Sequence, residues 1–278
     1  YMLSMLGIRQ VAVLINKMDL VDYNQDVYEN VKKEYIEFLS KINMEAKTFI
    51  PVSGFQGENI AKRSDKMNWY QGGSVLDVLD EFKPEKEDLE NVLRMPVQGV
   101  YKFTEDGDDR RILAGTIETG KVKVGDKVRF FPSGKKSRIQ SIEEFHAPVK
   151  KESHAGMSVG YTLTEQIYIK RGEVMTLAED EPMNVGTRLS ANIFWLGRES
   201  LAEGKSYFIK IGFQKIRATL ESVTSVLNSS NLGQEKRNFV KNHEVAECIF
   251  KTDKPIAFDL VQNLSKTSRF VIVDTYEI

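Results

Sequence analysis

Cysteine is almost missing from this chain: its 278 residues contain one, Cys248. No internal disulfide can form, and a reducing cytoplasmic setting is the simplest expectation. No apolar run approaches the ~18 residues of a membrane-spanning helix. No signal peptide opens the chain, so no membrane role is expected. Net charge is equally scarce. Lys+Arg number 39 against 40 Asp+Glu, leaving −1, which gives no general electrostatic drive toward nucleic acid or anionic lipid. The three histidines, His146, His154 and His243, lack metal-ligand spacing with one another or with Cys248, and no metal site is expected. Asp106, Asp108 and Asp109 are not followed by a full calcium loop and read as a solvated hairpin. A phosphate-binding loop is also lacking. The pattern Gly-x-x-x-x-Gly-Lys-[Ser/Thr] has one near miss, Gly204-Lys205-Ser206. There Glu199 stands where the first glycine belongs, and the strand-like Tyr207–Ile211 replaces the required helix.

What is present is an ordinary globular composition, 41% hydrophobic and 28% charged, with length for two or three domains. Residues 1–92 read as α/β. Gly7 ends a helix that is already under way at Tyr1, and the stretch 270–278 is still apolar where the sequence stops, so the chain is expected to be an excised piece. Val11–Ile15 is a continuous apolar run, as in a parallel strand covered on both faces. Asp26 with Glu29 reads as a capping box, opening a helix whose apolar face is Val27, Val31, Tyr35, Phe38, Leu39 and Ile42. Thr48–Val52 is a second strand. Gly73-Ser74 starts a helix carrying Val75, Leu76, Val78, Leu79 and Phe82, and Lys83–Asp88 is a Pro-broken, charged linker. From Arg94 the pattern becomes short strands at regular spacing, over 96–103, 111–119, 126–131, 136–144, 158–164 and 173–177. Glycine turns separate them, the signature of a small antiparallel barrel. A second all-β segment follows from Pro182, with strands near 187–196, 205–213, 215–226, 244–251 and 269–278.

The sharpest motif is Asn16-Lys17-Met18-Asp19, directly after the apolar strand. Ligands of open α/β sheets bind beyond the carboxyl ends of strands. Asp19 can accept two hydrogen bonds from guanine, from N1–H and the exocyclic amine, a donor pair that adenine lacks. Asn16 can meet the N7/O6 side and tie the loop to its neighbours, and the aliphatic stem of Lys17 can lie over the purine. Each carboxylate hydrogen bond contributes about 1.5–3 kcal/mol, enough for two to set base specificity. Pro51-Val52-Ser53-Gly54 ends the second strand, and its Ser53-Gly54 step can bring backbone N–H groups to guanine O6. The plain alternatives are a turn with a capping aspartate and a Gly-rich turn.

These motifs resemble the base-recognition elements of translational GTPases. Leu6–Gln10 with Asn16–Asp19, and Pro51–Asn59 followed by Trp69-Tyr70 and Gly73, resemble the group of elongation factor Tu and elongation factor one-alpha. Arg111–Gly115, Glu118-Thr119-Gly120 and Lys170–Val174 resemble the start and end of that family's second domain. Asp108–Arg111, Phe131–Ser137, Ala191–Leu196, Leu201–Tyr207 and Ile272–Ile278 are similar to one branch, the GTPase (large) subunit of bacterial sulfate adenylyltransferase, also found fused to adenylylsulfate kinase. The resemblance implies the C-terminal part of a P-loop α/β GTPase domain (1–92), a translation-factor-type β-barrel (93–180) and a second antiparallel β-barrel lacking its last strand (181–278). It implies guanine binding by Asn16, Lys17, Asp19, Ser53 and Gly54, with Mg-GTP held in the intact protein and not tightly here, and no catalytic residue in this piece. The intact protein would couple GTP hydrolysis to adenylylsulfate formation from ATP and sulfate with a smaller catalytic subunit. Alternatives are an elongation-factor-like carrier of aminoacyl-tRNA and a purely structural fragment.

Overall fold

A computed structural model describes residues 2–8, 10–42, 44–83, 88–102, 109–144, 148, 150–227 and 233–274. Most of the expected linker Lys83–Asp88, the acidic hairpin tip at Asp106 and Asp108, His146 and the end of the last strand at 275–278 lie outside the described residues. The chain divides into two compact units, Tyr1–Glu85 and Lys86–Ile278.

The first unit is α/β. Helix α1 (Met2–Met5) ends where Gly7 takes a positive φ of 65° and Ile8 N–H reaches back to the Leu3 carbonyl, the stop the sequence indicates. Strand β1 (Ala12–Ile15) pairs in parallel with β2 (Thr48–Pro51), from Ala12 opposite Thr48 to Ile15 opposite Pro51. Between them runs α2 (Gln25–Lys41). Its N-cap is Asn24, whose side chain accepts from Val27 N–H at 3.1 Å. The capping box expected at Asp26 and Glu29 is therefore replaced by a cap two residues earlier, with Asp26 in the first turn facing the helix dipole. The apolar face is also rotated from the expected one. Tyr28, Leu39 and Ile42 are buried, whereas Val27, Val31 and Tyr35 stay more than a third exposed. Tyr28 anchors this rotation: its hydroxyl donates to the Phe49 carbonyl at 2.9 Å and its ring packs 5.1 Å from Trp69. Helix α3 (Val75–Asp80) opens with a true capping box between Ser74 and Asp77.

The second unit begins with a closed antiparallel barrel. Its strands are β3 (Met95–Lys102), β4 (Arg111–Thr116), β6 (Lys127–Phe131), β7 (Lys136–Glu143), β9 (Ser158–Leu163) and β10 (Val174–Leu177), paired around the ring in the order β10-β3-β4-β9-β7-β6. Two short strands that the sequence pattern did not mark, β5 (Lys121–Lys123) and β8 (Glu152–His154), pair beside it. Inward residues alternate along the strands and fill the interior, among them Met95, Leu113, Val128, Phe130, Ile139, Tyr161 and Met175. Gly115 is required where β3 and β4 close up, because a Cβ there would lie 2.4 Å from the Pro96 carbonyl oxygen. Residues ahead of β3 belong to this body, since Leu89 packs on the barrel core and Asp88 accepts from Gly120 N–H.

The last segment comprises β11 (Asn184–Phe194), β12 (Leu201–Ala202), β13 (Ser206–Ile211), β14 (Gln214–Leu227), β15 (Gln234–Glu235), β16 (Phe239–Val240), β17 (Val245–Phe258) and β18 (Phe270–Val273). The second antiparallel barrel was expected to lack its last strand, and the described strands form an open sheet in the order β11-β17-β14-β13-β18, with β15 added to β14. The four residues of β18 pair with β13, and among the described residues nothing bridges β18 to β11. The core is closed instead by the small β12–β16 ladder, which adds Leu201 and Val240 to Tyr207, Leu220, Cys248 and Phe250. Barrel and sheet meet through Phe131, Val174, Met183 and Ala257. Beside them, buried Arg94 forms a two-pronged pair with Asp259 at 2.9 and 3.0 Å. No helix among the described residues is long and apolar enough to cross a membrane.

Candidate guanine-base site

The parallel pairing of β1 with β2 brings two strand ends side by side, and every residue expected at the site lies on the loops that leave them. The ladder continues one step past the strands: Val52 N–H donates to the Ile15 carbonyl at 2.9 Å, and Met18 N–H to the Val52 carbonyl at 3.1 Å. These bonds fix the two loops relative to each other before any side chain acts. The backbone then turns sharply. Lys17 takes a left-handed conformation, φ 67° and ψ 31°, and caps a short 3-10 helix over Met18–Val21. Buried Met18 pins that turn into the unit, while Asn16 and Lys17 stay exposed.

Side chains join the loops a second time. Asn16 Oδ1 accepts from its neighbour Lys17 N–H at 2.7 Å and from Gly54 N–H at 2.9 Å. Two backbone donors fix the orientation of this amide, so its Nδ2 is the atom turned to other acceptors. Ser53, fully buried, donates its Oγ–H to Asp19 Oδ1 at 2.5 Å and accepts from Gln56 N–H at 3.1 Å. That hydroxyl is a relay: the loop's own backbone orients it, and it holds the Asp19 carboxylate. Asp19 is half-buried, and among the described residues the side-chain hydrogen bond it accepts is from Ser53, at Oδ1.

Asn16, Asp19, Ser53 and Gly54 are thus in direct contact, with Lys17 one bond away. Two details differ from the sequence reading. The Gly54 N–H was expected to approach guanine O6, but it is committed to Asn16. Space is not what selects glycine either, since a Cβ at position 54 would sit 3.5 Å from the Asn16 amide, an ordinary contact. Ser53 contributes its hydroxyl, where the sequence reading relied on a small side chain beside a free backbone.

Sequence reasoning gave no role to Asn59. This residue is 1% exposed in a left-handed conformation (φ 58°). Its Nδ2 donates to the Pro51 carbonyl at 2.8 Å, its Oδ1 accepts Ser64 N–H at 2.7 Å, and its carbonyl accepts Val75 N–H at 3.0 Å. It braces the whole 52–64 loop from below. Asparagine tolerates that backbone, but only the fold shows which asparagine needs it. Glu58, which exchanges backbone bonds with Ser53, is ion-paired to Lys66 at 2.8 Å, and this hydrogen bond lowers its pKa. Trp69, Trp195 and Arg110 have structural partners. The indole N–H of Trp69 donates to Tyr23 and that of Trp195 to Glu199, and Arg110 pairs with Glu143 at 3.1 Å. Among the described residues no group of three His, Cys, Asp or Glu side chains is arranged to hold a metal.

Comparison with known proteins is consistent across the chain. The family "Elongation factor Tu domain 2" matches residues 110–176, and "GTP-eEF1A C-terminal domain-like" matches 188–278. Subunit 1 of sulfate adenylyltransferase from Aeromonas hydrophila subsp. hydrophila is 34% identical over 274 residues, and the same subunit from Shewanella woodyi is 32% identical over 274. Both alignments cover 99% of this chain and 57% of the relative, so the chain spans little more than half the length of the curated relatives it matches. Among solved structures, sup35 complexed with GMPPNP superposes with a TM-score of 0.60 at 24% identity, covering 98% of this chain and 68% of that one. The resemblance stated from the motifs is borne out: the chain is similar over nearly its whole length to this subunit, and residues 110–176 and 188–278 match translation-factor domain families.

Proposed function

We propose that the Asn16–Asp19 and Ser53–Gly54 loops bind the guanine base of GTP, and that the chain is part of the GTP-dependent subunit of a sulfate adenylyltransferase. The single observation that carries the reading is the doubly bonded loop pair, Ser53 on Asp19 and Gly54 on Asn16, at the carboxyl ends of two parallel strands. Asn16 Nδ2 is the donor for guanine N7. Asp19 accepts from N1–H and the exocyclic amine, with Ser53 fixing the carboxylate. The stem of Lys17, started outward by its left-handed backbone, covers one face of the purine. In this arrangement residues 1–85 supply the base-reading half of the nucleotide domain, and the barrel and open sheet of residues 86–278 are the two β domains that follow it. The phosphates and Mg²⁺ of Mg-GTP are not assigned to residues of this sequence, which has no phosphate loop.

The whole protein's chemistry, in this reading, is adenylyl transfer from ATP to sulfate on a smaller catalytic subunit, driven by GTP hydrolysis. Similarity over 99% of the chain to proteins named as subunit 1 supports a partner subunit. The test is Asp19→Asn in the intact protein. Asparagine keeps the shape and replaces one acceptor by a donor, which suits the 2-oxo group of xanthine. GTP affinity should fall by about 10–100-fold, from the loss of roughly 1.5–3 kcal/mol in a charged hydrogen bond, and xanthosine triphosphate should gain. Adenylylsulfate formation should change its nucleotide requirement accordingly. An unchanged preference for GTP makes Asp19 a turn residue. Co-purification of aminoacyl-tRNA, with no effect of GTP on adenylylsulfate yield, would favour the elongation-factor alternative.

A further inference from the structure

The outer face of the β6–β7 hairpin is cationic in a way that costs the barrel stability. Val128, Phe130 and Ile139 point into the core, so Lys127, Arg129, Lys136 and Arg138 point out. In the antiparallel register Lys127 lies opposite Arg138 and Arg129 lies opposite Lys136. Like charges directly opposite on neighbouring strands repel. None of these four has a carboxylate within ion-pair distance among the described residues, whereas Lys121, Lys123 and Lys150 on the same barrel each have one. The buried Arg129 Nε has no hydrogen-bond partner, and the guanidinium rests 4.7 Å from the Phe131 ring. At the hairpin tip the same sign continues. The ammonium groups of Lys135 and Lys170 both lie over Tyr168, at 5.5 and 5.8 Å from the ring centre, and Tyr168 is 61% exposed. The nearby Glu173 is turned inward, accepting from Ser133 Oγ–H and Lys170 N–H.

Six cations and an exposed aromatic ring are gathered on one barrel face of a chain whose net charge is −1. Among the described residues the four strand cations have no ion-pair partner, and the Glu173 carboxylate beside the tip is buried, so an acidic group arriving from outside would meet unpaired charge. We propose that this face is a docking surface for an acidic segment of the smaller catalytic subunit; the proposal rests on the sulfate adenylyltransferase reading above. A protein occupant fits better than nucleic acid. The ring that would stack a base already has two ammonium groups over it, and a phosphate backbone would act on a chain that is close to neutral overall.

The experiment titrates the full chain with the purified smaller subunit by calorimetry, for wild type and for the double variant Lys135→Glu/Lys136→Glu. Both side chains are exposed, and a thermal melt checks that the fold is kept. The expected result is at least a tenfold loss of affinity in the variant, with wild-type binding weakening steeply between 50 and 500 mM NaCl, as salt screens exposed charges. A single Lys136→Gln variant should show an intermediate loss. Wild-type binding that the double variant keeps in full overturns this surface and leaves the partner reading intact. Absence of wild-type binding overturns both. A single-stranded RNA oligonucleotide run in parallel is expected not to bind; charge-sensitive binding of RNA without the subunit would make the face a nucleic-acid site and overturn the proposal.

Discussion

Asp259→Ala should be among the most damaging single substitutions in the second unit, for a reason that can be worked out bond by bond. Asp259 and Arg94 are 7% and 2% exposed. The carboxylate accepts Arg94 Nε at 2.9 Å and Nη2 at 3.0 Å, and Thr267 Oγ1 at 2.6 Å. Arg94 also donates to the Leu93 and Glu181 carbonyls, at 3.0 and 3.1 Å. The network is satisfied on all sides and ties the first strand of the barrel to the last sheet. Removing the carboxylate leaves a buried guanidinium with two neutral acceptors and no counter-charge, which costs about 3–5 kcal/mol. That is a large fraction of the ~5–15 kcal/mol that holds a typical domain together. For a body of this size it corresponds to a drop of roughly 6–20 °C in melting temperature. The assay is thermal and urea unfolding of the full chain followed by circular dichroism. Lys123→Ala, which breaks an exposed pair with Glu152, is the control and should cost about 0–1 kcal/mol. The double variant Arg94→Met/Asp259→Leu should regain most of the loss, because an apolar pair of similar volume carries no desolvation penalty. A loss below ~1 kcal/mol for Asp259→Ala, or no recovery in the double variant, refutes the view that the uncompensated charge is what destabilises.

Ser53→Ala should weaken guanine-nucleotide binding in the intact protein by about 1–3 kcal/mol, since a buried hydroxyl bonded to Asp19 and Gln56 is lost; equal affinity in a fluorescent-nucleotide titration would remove Ser53 from the site. Ser74→Ala should cost about 1 kcal/mol by opening the capping box of α3, seen as faster amide exchange at residues 75–78; unchanged exchange there would count against the cap. Burial pushes the Cys248 thiol up to about 12, so iodoacetamide at pH 8 should label the chain only after denaturation; rapid labelling of the native chain would contradict the packing. The same burial raises the pKa of Tyr28 and Tyr161. Folded values above unfolded ones give stability that is complete below the unfolded pKa and is lost as pH rises toward the folded one. Unfolding free energy should therefore be flat near neutrality and decline from about pH 9 upward, where the cysteine enters first; a flat profile to pH 11 would contradict it.

Short-range pattern was legible in the residues alone. Strand alternation and glycine spacing located all six strands of the barrel within a few residues, because inward and outward positions repeat every two residues whatever the neighbours do. The apolar run before Asn16-Lys17-Met18-Asp19 placed that motif at a strand end, and the structure has it there. Two-residue strands such as β12 and β16 were invisible, since two residues carry no period. The cap of α2 moved to Asn24, because several polar residues competed for one helix start and Tyr28, packed on Trp69 and Phe49, decided the register. Contacts between residues far apart in sequence could not be read from local pattern. Ser53 reaches Asp19 across 34 positions, and Arg94 reaches Asp259 across 165. Lys127 faces Arg138 because one hairpin register was chosen over another. A sequence states which groups are present. The free energy of a hydrogen bond or of a like-charge repulsion depends on distance and burial, and those are set when the chain closes on itself.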